Sequence, residues 1–190
     1  MLADGIKWWP TYEVIKYSPE TVREITKDLG HEPSGDELRM LEARYGLVPD
    51  EITQGEGNSL LTAGLARITS LITGAGGNAF NNTNGYAGVG DSTTTVSVGQ
   101  TGLVAATNHY YRPMDASNPT TSNGVISANV TFGTTEANYA WQEWVWGVGN
   151  SAPSAGASQP AGVCLNRAVQ SLGTKTSGST WTLQATVTLT

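Results

Sequence analysis

The residue types that perform most enzyme chemistry are scarce in this chain. There are two histidines, His31 and His109, and one cysteine, Cys164, and they lie far apart in the sequence. Transition-metal sites need several such ligands at close spacing, and a cysteine nucleophile needs a basic partner. We therefore expect no metal, no cofactor and no thiol chemistry, with Cys164 buried as a small apolar residue.

Four acidic residues in the second part of the chain are the other candidates, because a pair of carboxylates is the machinery of a glycosidase. They are Asp91, Asp115, Glu136 and Glu143. Acids scattered in this way more commonly form turns and salt bridges. We expect Glu136 and Glu143 to pair with Arg112 or Arg167, and we predict that the protein is not an enzyme.

The stretch from Val125 to Val148 holds three of the six tryptophans. Residues 125–132 and 139–148 are two strand-like runs joined by the polar segment 133–138. Two such runs around a short polar connection predict a pair of antiparallel strands. The second run has bulky side chains at both odd and even positions, which face opposite sides of a strand. Both faces must therefore be covered, by another sheet or by a partner.

The tryptophans themselves admit two interpretations. With Tyr110 and Tyr111 they could form the flat aromatic platform on which β-sandwich modules bind sugars. Alternatively they fill the core between two sheets or a subunit interface, and we favour this interpretation because nothing else in the chain supplies ligand chemistry. The residues concerned are Trp141, Trp144, Trp146 and Trp181.

The charges divide the chain into two segments. Residues 1–57 hold six basic and twelve acidic side chains and residues 58–190 hold four of each, so the net charge of −6 falls entirely in the first segment. We expect an acidic N-terminal arm over residues 1–57 and a nearly neutral domain over residues 58–190. Nucleic-acid binding needs basic side chains against phosphate, so this charge predicts no nucleic-acid partner.

The arm carries the signals of one extended segment and two short helices. Residues 8–17 are aromatic and extended. Ser18 followed by Pro19 is typical of a helix start, and Ser34 with Glu37 forms a capping box for a second helix. Their apolar stripes are too thin to stabilise them alone, so we expect both to lie on the domain or on another chain.

The second segment begins with an amphipathic helix, predicted over residues 58–73, and continues in strands and turns. Besides the two runs above, strands are predicted at 86–90, 94–98, 109–114, 163–169 and 180–190. In the last strand apolar and polar side chains alternate strictly, so one face belongs to a core. Strands at this spacing predict a mainly β fold, an antiparallel β-sandwich or jelly-roll-like domain.

The apolar segments also bear on location. The longest of them, around Leu60, is interrupted by Arg67 and by several Ser and Thr residues, so we expect no membrane partner. Residues 1–9 lack the basic and apolar regions of a signal peptide. We therefore expect a protein that is made in a cytoplasm and used there or released by lysis.

Several blocks of the second segment resemble a group of structural proteins of tailed bacteriophages. The blocks are NSLLTAGL at 58–65, GVGDS at 88–92, FGTTEANYAWQE at 132–143, LNRAV at 165–169, LGTK at 172–175 and WTL at 181–183. They follow one another in order over roughly residues 55–190. The resemblance implies a virion protein, in the capsid or in the tail, and carries over no catalytic residues.

The resemblance and the aromatic arm together predict a capsid decoration (cement) protein, located in the virion and assembled in the cytoplasm of the bacterial host. We expect a homo-oligomer, with a trimer favoured, that binds another virion protein such as the major capsid protein. Aromatic side chains dominate the energy of interfaces, so the expected partner-binding residues are Trp8, Trp9, Tyr12 and Tyr17. The alternatives are a tail, baseplate or fibre component and a carbohydrate-binding β-sandwich module.

Overall fold

Two five-stranded antiparallel sheets face each other across a shared core in a computed structural model, which describes residues 8–189. These residues form ten strands and three helices. The strands are β1 (Trp8–Tyr17), β2 (Glu51–Glu56), β3 (Ser59–Leu60), β4 (Gly85–Gly90), β5 (His109–Pro113), β6 (Thr120–Ser122), β7 (Val125–Phe132), β8 (Ala140–Gly149), β9 (Gly162–Thr174) and β10 (Thr180–Leu189). The helices are α1 (Pro19–Leu29), α2 (Gly35–Tyr45) and α3 (Thr62–Thr73).

Sheet A has the strand order β2-β1-β10-β7-β6, and sheet B has the order β3-β9-β8-β4-β5. All paired strands are antiparallel. The expected mainly β, antiparallel sandwich is therefore confirmed, whereas its jelly-roll-like form stays a prediction. Each sheet turns one face to the core and leaves the other to helices, loops or solvent.

The first strand is part of the sandwich, and this corrects the expected N-terminal arm. β1 lies between β2 and β10, in register from Trp8 opposite Leu189 to Tyr17 opposite Thr180. A strand bonded on both sides cannot act as a mobile extension, so the charge boundary near residue 57 does not separate an arm from a domain within residues 8–189. Residues 1–7, with the expected absence of a signal peptide, lie outside the described residues.

Helices α1 and α2 begin and end where the sequence predicts. The Ser18 hydroxyl accepts a hydrogen bond from the Thr21 N–H, and Ser34 with Glu37 forms a complete capping box. The helices cover one end of the outer face of sheet A, where Val22, Ile25 and Leu38 bury the β1 side chains of Ile15 and Tyr17. Both helices are expected to need another surface to pack on, and sheet A of the same chain provides it.

The expected pairing of residues 125–132 with 139–148 is wrong. β7 pairs with β10 and β6 in sheet A, and β8 pairs with β4 and β9 in sheet B. The connection over residues 133–139 therefore crosses from one sheet to the other. Alternation along each run marks a strand correctly, but it carries no information about which partner forms the hydrogen bonds.

All three tryptophans of β8 point into the core between the sheets. Trp141 and Trp144 are three residues apart, a spacing that puts side chains on opposite faces of a regular strand. The pairing of β8 with β9 shifts register between Trp141 and Glu143. This irregularity brings Trp141 into the same core cluster as Trp144 and Trp146.

The helix predicted over residues 58–73 begins later, at Thr62, because its first residues form a strand. Ser59 and Leu60 pair with β9, and the Leu61 N–H donates to the Leu165 carbonyl at 2.8 Å. No side chain caps the start of α3, where the Thr62 N–H instead reaches the Val98 carbonyl at 2.8 Å.

Two further differences concern the strands. Residues 94–98, expected as a strand, form a loop over the outer face of sheet B. β6 and β7 form a hairpin that the predicted strands do not include, although Asn123-Gly124 between them is a strong hairpin signal. Both residues have positive φ, 47° and 80°, as a type I′ turn requires.

Candidate binding surface

Three of the four acidic side chains considered for catalysis are held in separate salt bridges. Glu143 and Arg167 are both fully buried, with the Arg167 Nε–H donating to Glu143 Oε2 at 2.6 Å. The Glu143 carboxylate also accepts hydrogen bonds from the backbone N–H groups of Val104 and Ala105. This pair therefore fastens the loop over residues 91–108 to the outer face of sheet B.

The other acids are bound elsewhere in the molecule. Glu136 pairs with Arg112 and accepts a bond from Tyr110, and Asp115 pairs with Arg39 of α2. The expected pairing of Glu136 and Glu143 with Arg112 and Arg167 is confirmed. The fourth acid, Asp91, accepts a hydrogen bond from the Asn108 carboxamide N–H at 2.7 Å. The four carboxylates thus have separate partners.

Cys164 is fully buried, as expected of a small apolar residue. Burial raises the pKa of its thiol to about 11, so the thiolate form is suppressed at neutral pH. Its Sγ lies 3.5 Å from the Tyr86 hydroxyl in the cluster on the outer face of sheet B.

The tryptophans of β8 and β10 do not form a platform. Trp141, Trp144 and Trp146 expose 1% or less of their surface, and Trp181 exposes 6%. Their rings pack edge to face, with the Trp141 centroid 4.9 Å from Phe132 and 5.0 Å from Trp181. The core interpretation is confirmed for these four residues, which leaves no sugar-binding role for them.

The four expected partner-binding residues lie in very different environments. Tyr12 and Tyr17 expose only 5% and 1% of their surface, and their hydroxyls donate to Gln170 and Glu42. Burial raises the pKa of both phenols. Neither ring can meet a partner while the chain is folded, so the expectation of direct contact is wrong for these two.

The two tryptophans of β1 differ from the tyrosines. Trp8 packs partly buried against the core, and its indole N–H donates to Asn58 Oδ1 at 2.7 Å. Trp9 points to the other face of sheet A and exposes 58% of its surface. Of the four residues, Trp9 alone presents most of its ring to solvent.

Next to Trp9 the outer face of sheet A forms a shallow groove of about 510 Å³. It lies beyond the area that α1 and α2 cover. The residues that line it are Thr11, Tyr12, Glu13, Gln54, Gly55, Glu56, Gln184 and Thr186. No local pattern in the sequence predicts this groove, because its lining comes from three separate strands, β1, β2 and β10.

A second surface is the outer side of α3. The sequence predicts an apolar stripe that includes Leu61, Gly64, Leu65 and Ile72, but the structure buries only the first two of these. Leu65 exposes 51% and Ile72 exposes 78% of its surface. Val98, whose carbonyl bonds the start of α3, is exposed as well.

No helix within residues 8–189 has the length and hydrophobicity to cross a membrane. Over the same part of the chain, no three or more His, Cys, Asp or Glu side chains come together as possible metal ligands. Comparisons with protein-family models, with curated proteins and with solved structures found no match. The observed features are thus a two-sheet β-sandwich with a polar groove beside Trp9 and an apolar helix side.

Proposed function

We propose that this protein is a structural component of a tailed-bacteriophage virion, a capsid decoration protein that assembles with copies of itself and binds the shell. A trimer is the favoured oligomer, and the sandwich is of the jelly-roll-like kind. The protein's role is to hold neighbouring subunits together, without catalysis, nucleic-acid binding or membrane attachment.

The observation that carries the proposal is the place of the phage-like blocks in this fold. The block at 132–143 spans the crossing between the sheets and ends at the buried Glu143, and the block at 165–169 contains its partner Arg167. Trp181, in the last block, packs on Trp141. The resemblance thus falls on side chains that build the sandwich, which supports a shared architecture with those virion proteins.

The exposed side of α3 supports self-assembly. Exposed apolar side chains that gather on a surface mark sites of protein association. Leu65, Leu71 and Ile72 are exposed on α3, and the exposed Val98 lies at the start of this helix. Because α3 buries only its Gly64 side against sheet B, its exposed apolar side chains are available for contact with a neighbouring copy of the protein. In a closed symmetric ring every copy would cover the strip of the next.

Immunogold electron microscopy of the phage that encodes the protein tests the location. We expect label distributed over the capsid lattice. Label confined to the tail would replace the decoration role by the alternative of a tail or baseplate component. Particles without label on either part would overturn the virion role.

Light scattering during size-exclusion chromatography tests the assembly. We expect the native protein to elute as an oligomer and the double variant Leu65→Glu, Ile72→Glu to elute as a folded monomer, because buried unpaired carboxylates are costly. Tyr45→Glu is the matched control, since Tyr45 is 74% exposed but lies on α2. Equal masses for the native protein and the double variant would contradict the contact through α3.

A further inference from the structure

The outer face of sheet A carries a regular grid of polar side chains that ends at an exposed indole. Thr11 stands between Glu56 and Thr186, and Glu13 stands between Gln54 and Gln184, on three neighbouring strands. Adjacent strands are about 4.8 Å apart and side chains two residues apart on one strand are about 7 Å apart. Trp9 is the next residue of β1 on the same face, one step beyond Thr11.

The fold leaves this part of the sheet open. α1 and α2 cover β1 at Ile15 and Tyr17 and extend no further along the strand. From Glu13 to Trp9 the side chains alternate between the core and the groove, with Tyr12 buried and Thr11 exposed. The groove is therefore a concave surface on three hydrogen-bonded strands, β2, β1 and β10, whose side chains present prearranged groups to a ligand.

The chemistry of the groove fits a saccharide. Its lining offers two carboxylates, two carboxamides and two hydroxyls, which together can both donate to and accept from the hydroxyls of a sugar. The exposed Trp9 ring adds a flat apolar surface for the C–H face of a pyranose.

Other ligand classes fit less well. Glu13 and Glu56 repel phosphates and acidic sugars. A protein interface has an apolar core, whereas here one indole stands beside six polar side chains. A metal site needs a third acidic or imidazole group beside the two carboxylates. Within residues 8–189, no three or more His, Cys, Asp or Glu side chains come together in this way.

We propose that the groove between Glu13 and Trp9 binds a neutral oligosaccharide, with one ring stacked on Trp9 and the next lying over the polar grid. This site does not involve the buried tryptophans of β8 and β10, and it is separate from the contact through α3. The proposal adds glycan binding to the virion role and does not depend on it.

Tryptophan fluorescence of the full chain tests the site directly. Since Trp9 is the most exposed indole of the described chain, iodide quenching reports mainly on it. We expect saturable protection from iodide by at least one of the neutral probes maltohexaose, cellohexaose and chitohexaose. Trp9→Ala should abolish binding measured by calorimetry, and Gln54→Ala and Gln184→Ala should weaken it by about tenfold each.

Tyr45→Ala is the matched aromatic control, because Tyr45 is well exposed on α2, away from the groove. Its affinity for the probes should equal that of the native chain, and near-ultraviolet circular dichroism verifies that every variant is folded. Absence of protection by all three probes would overturn the proposal. So would loss of particle binding in Trp9→Ala without any sugar response, which would make this face a protein contact.

Discussion

At the scale of single residues, a buried charge pair organises the outer face of sheet B. Glu143 on β8 and Arg167 on β9 are both completely inaccessible, and the Arg167 Nη1–H donates to the Thr94 carbonyl at 2.9 Å. The backbone N–H groups of Val104 and Ala105 donate hydrogen bonds to the Glu143 carboxylate. The loop over residues 91–108, which has no regular structure, is thereby held by this charge pair as well as by Val96 and Leu103, which pack on the apolar cluster of the same face.

Removing one member of this pair should be severely destabilising. We expect Arg167→Met to lower the free energy of unfolding by about 3–5 kcal/mol, because Glu143 would remain as a buried charge without its partner. Denaturant titration measures the loss. The double variant Glu143→Gln, Arg167→Met should lose less than Arg167→Met alone.

The control is Arg112→Met at the partly exposed pair with Glu136. Exposed pairs contribute about 1 kcal/mol or less, so this variant should stay close to the native stability. A loss below about 1 kcal/mol for Arg167→Met would show that the buried pair does not hold the loop.

The partners of these charges could be predicted from the sequence, as could the caps Ser18 and Ser34, because few basic groups are available and caps act over three residues. The burial of Tyr12 and Tyr17 could not. Both are covered by side chains distant in the sequence, and an aromatic residue in an extended segment suits a core as well as an interface.

At the scale of elements, α3 shows how a single glycine sets the position of a helix. A Cβ at Gly64 would lie 2.2 Å from the Leu165 carbonyl oxygen, so the helix rests directly on the backbone of β9. This close approach turns Leu65 and Ile72 outward. The exposed strip and the buried glycine are therefore two sides of one packing arrangement.

The substitution Gly64→Ala tests this packing. Helix propensity alone would stabilise the protein by about 1 kcal/mol, but the contact with Leu165 should reverse the sign and destabilise it by about 1–3 kcal/mol. Thermal and denaturant unfolding measure the difference. As control, Ala66→Gly on the exposed side of α3 should cost about 1 kcal/mol by propensity. A stabilised Gly64→Ala variant would contradict the close approach.

The helix itself is predictable from its 3.6-residue pattern, and so is its end at Gly74. The orientation of α3 on sheet B cannot be predicted in this way. Its apolar stripe is wider than the contact with the sheet, so the sequence does not show which part of the stripe is buried. The same limit applies to β7 and β8, whose alternation identifies strands but does not assign them to different sheets. The groove beside Trp9 could not be predicted for the same reason, because it forms only when β2, β1 and β10 are neighbours in one sheet.

At the scale of the whole molecule, a buried cation links two connections that cross between the sheets, residues 133–139 and residues 175–179. Lys175 is almost inaccessible and donates to the Gly133 carbonyl and to Asn138 Oδ1. Burial lowers the pKa of its amine to about 8, against the opposing effect of Glu136 and Glu32. The positive charge is thus less favourable in the folded chain than in the unfolded chain.

The free energy of unfolding should therefore rise between pH 8 and pH 9. In this range the folded chain releases a proton from Lys175 that the unfolded chain, with a pKa near 10.5, still binds. The expected gain is about 1 kcal/mol, measured by urea unfolding at each pH. Above pH 9 the gain is opposed by Cys164, whose unfolded thiol ionises near pH 9 and whose folded thiol does so near pH 11.

The variant Lys175→Met isolates this contribution. Its free energy of unfolding should lack the rise between pH 8 and pH 9, whatever its stability at pH 7. If the free energy of unfolding of Lys175→Met still rose between pH 8 and pH 9, groups other than Lys175 would be responsible for the pH dependence.

The position of β10 between β1 and β7 has a consequence for biosynthesis. Of the described strands, β10 is the last to be synthesised, and its pairing joins Leu189 to Trp8. Until residues 180–189 emerge, β1 and β7 lack their shared partner and Trp181 is missing from the core. A nascent chain at that stage displays open strand edges and aromatic surface, the features that make incompletely folded chains prone to aggregation.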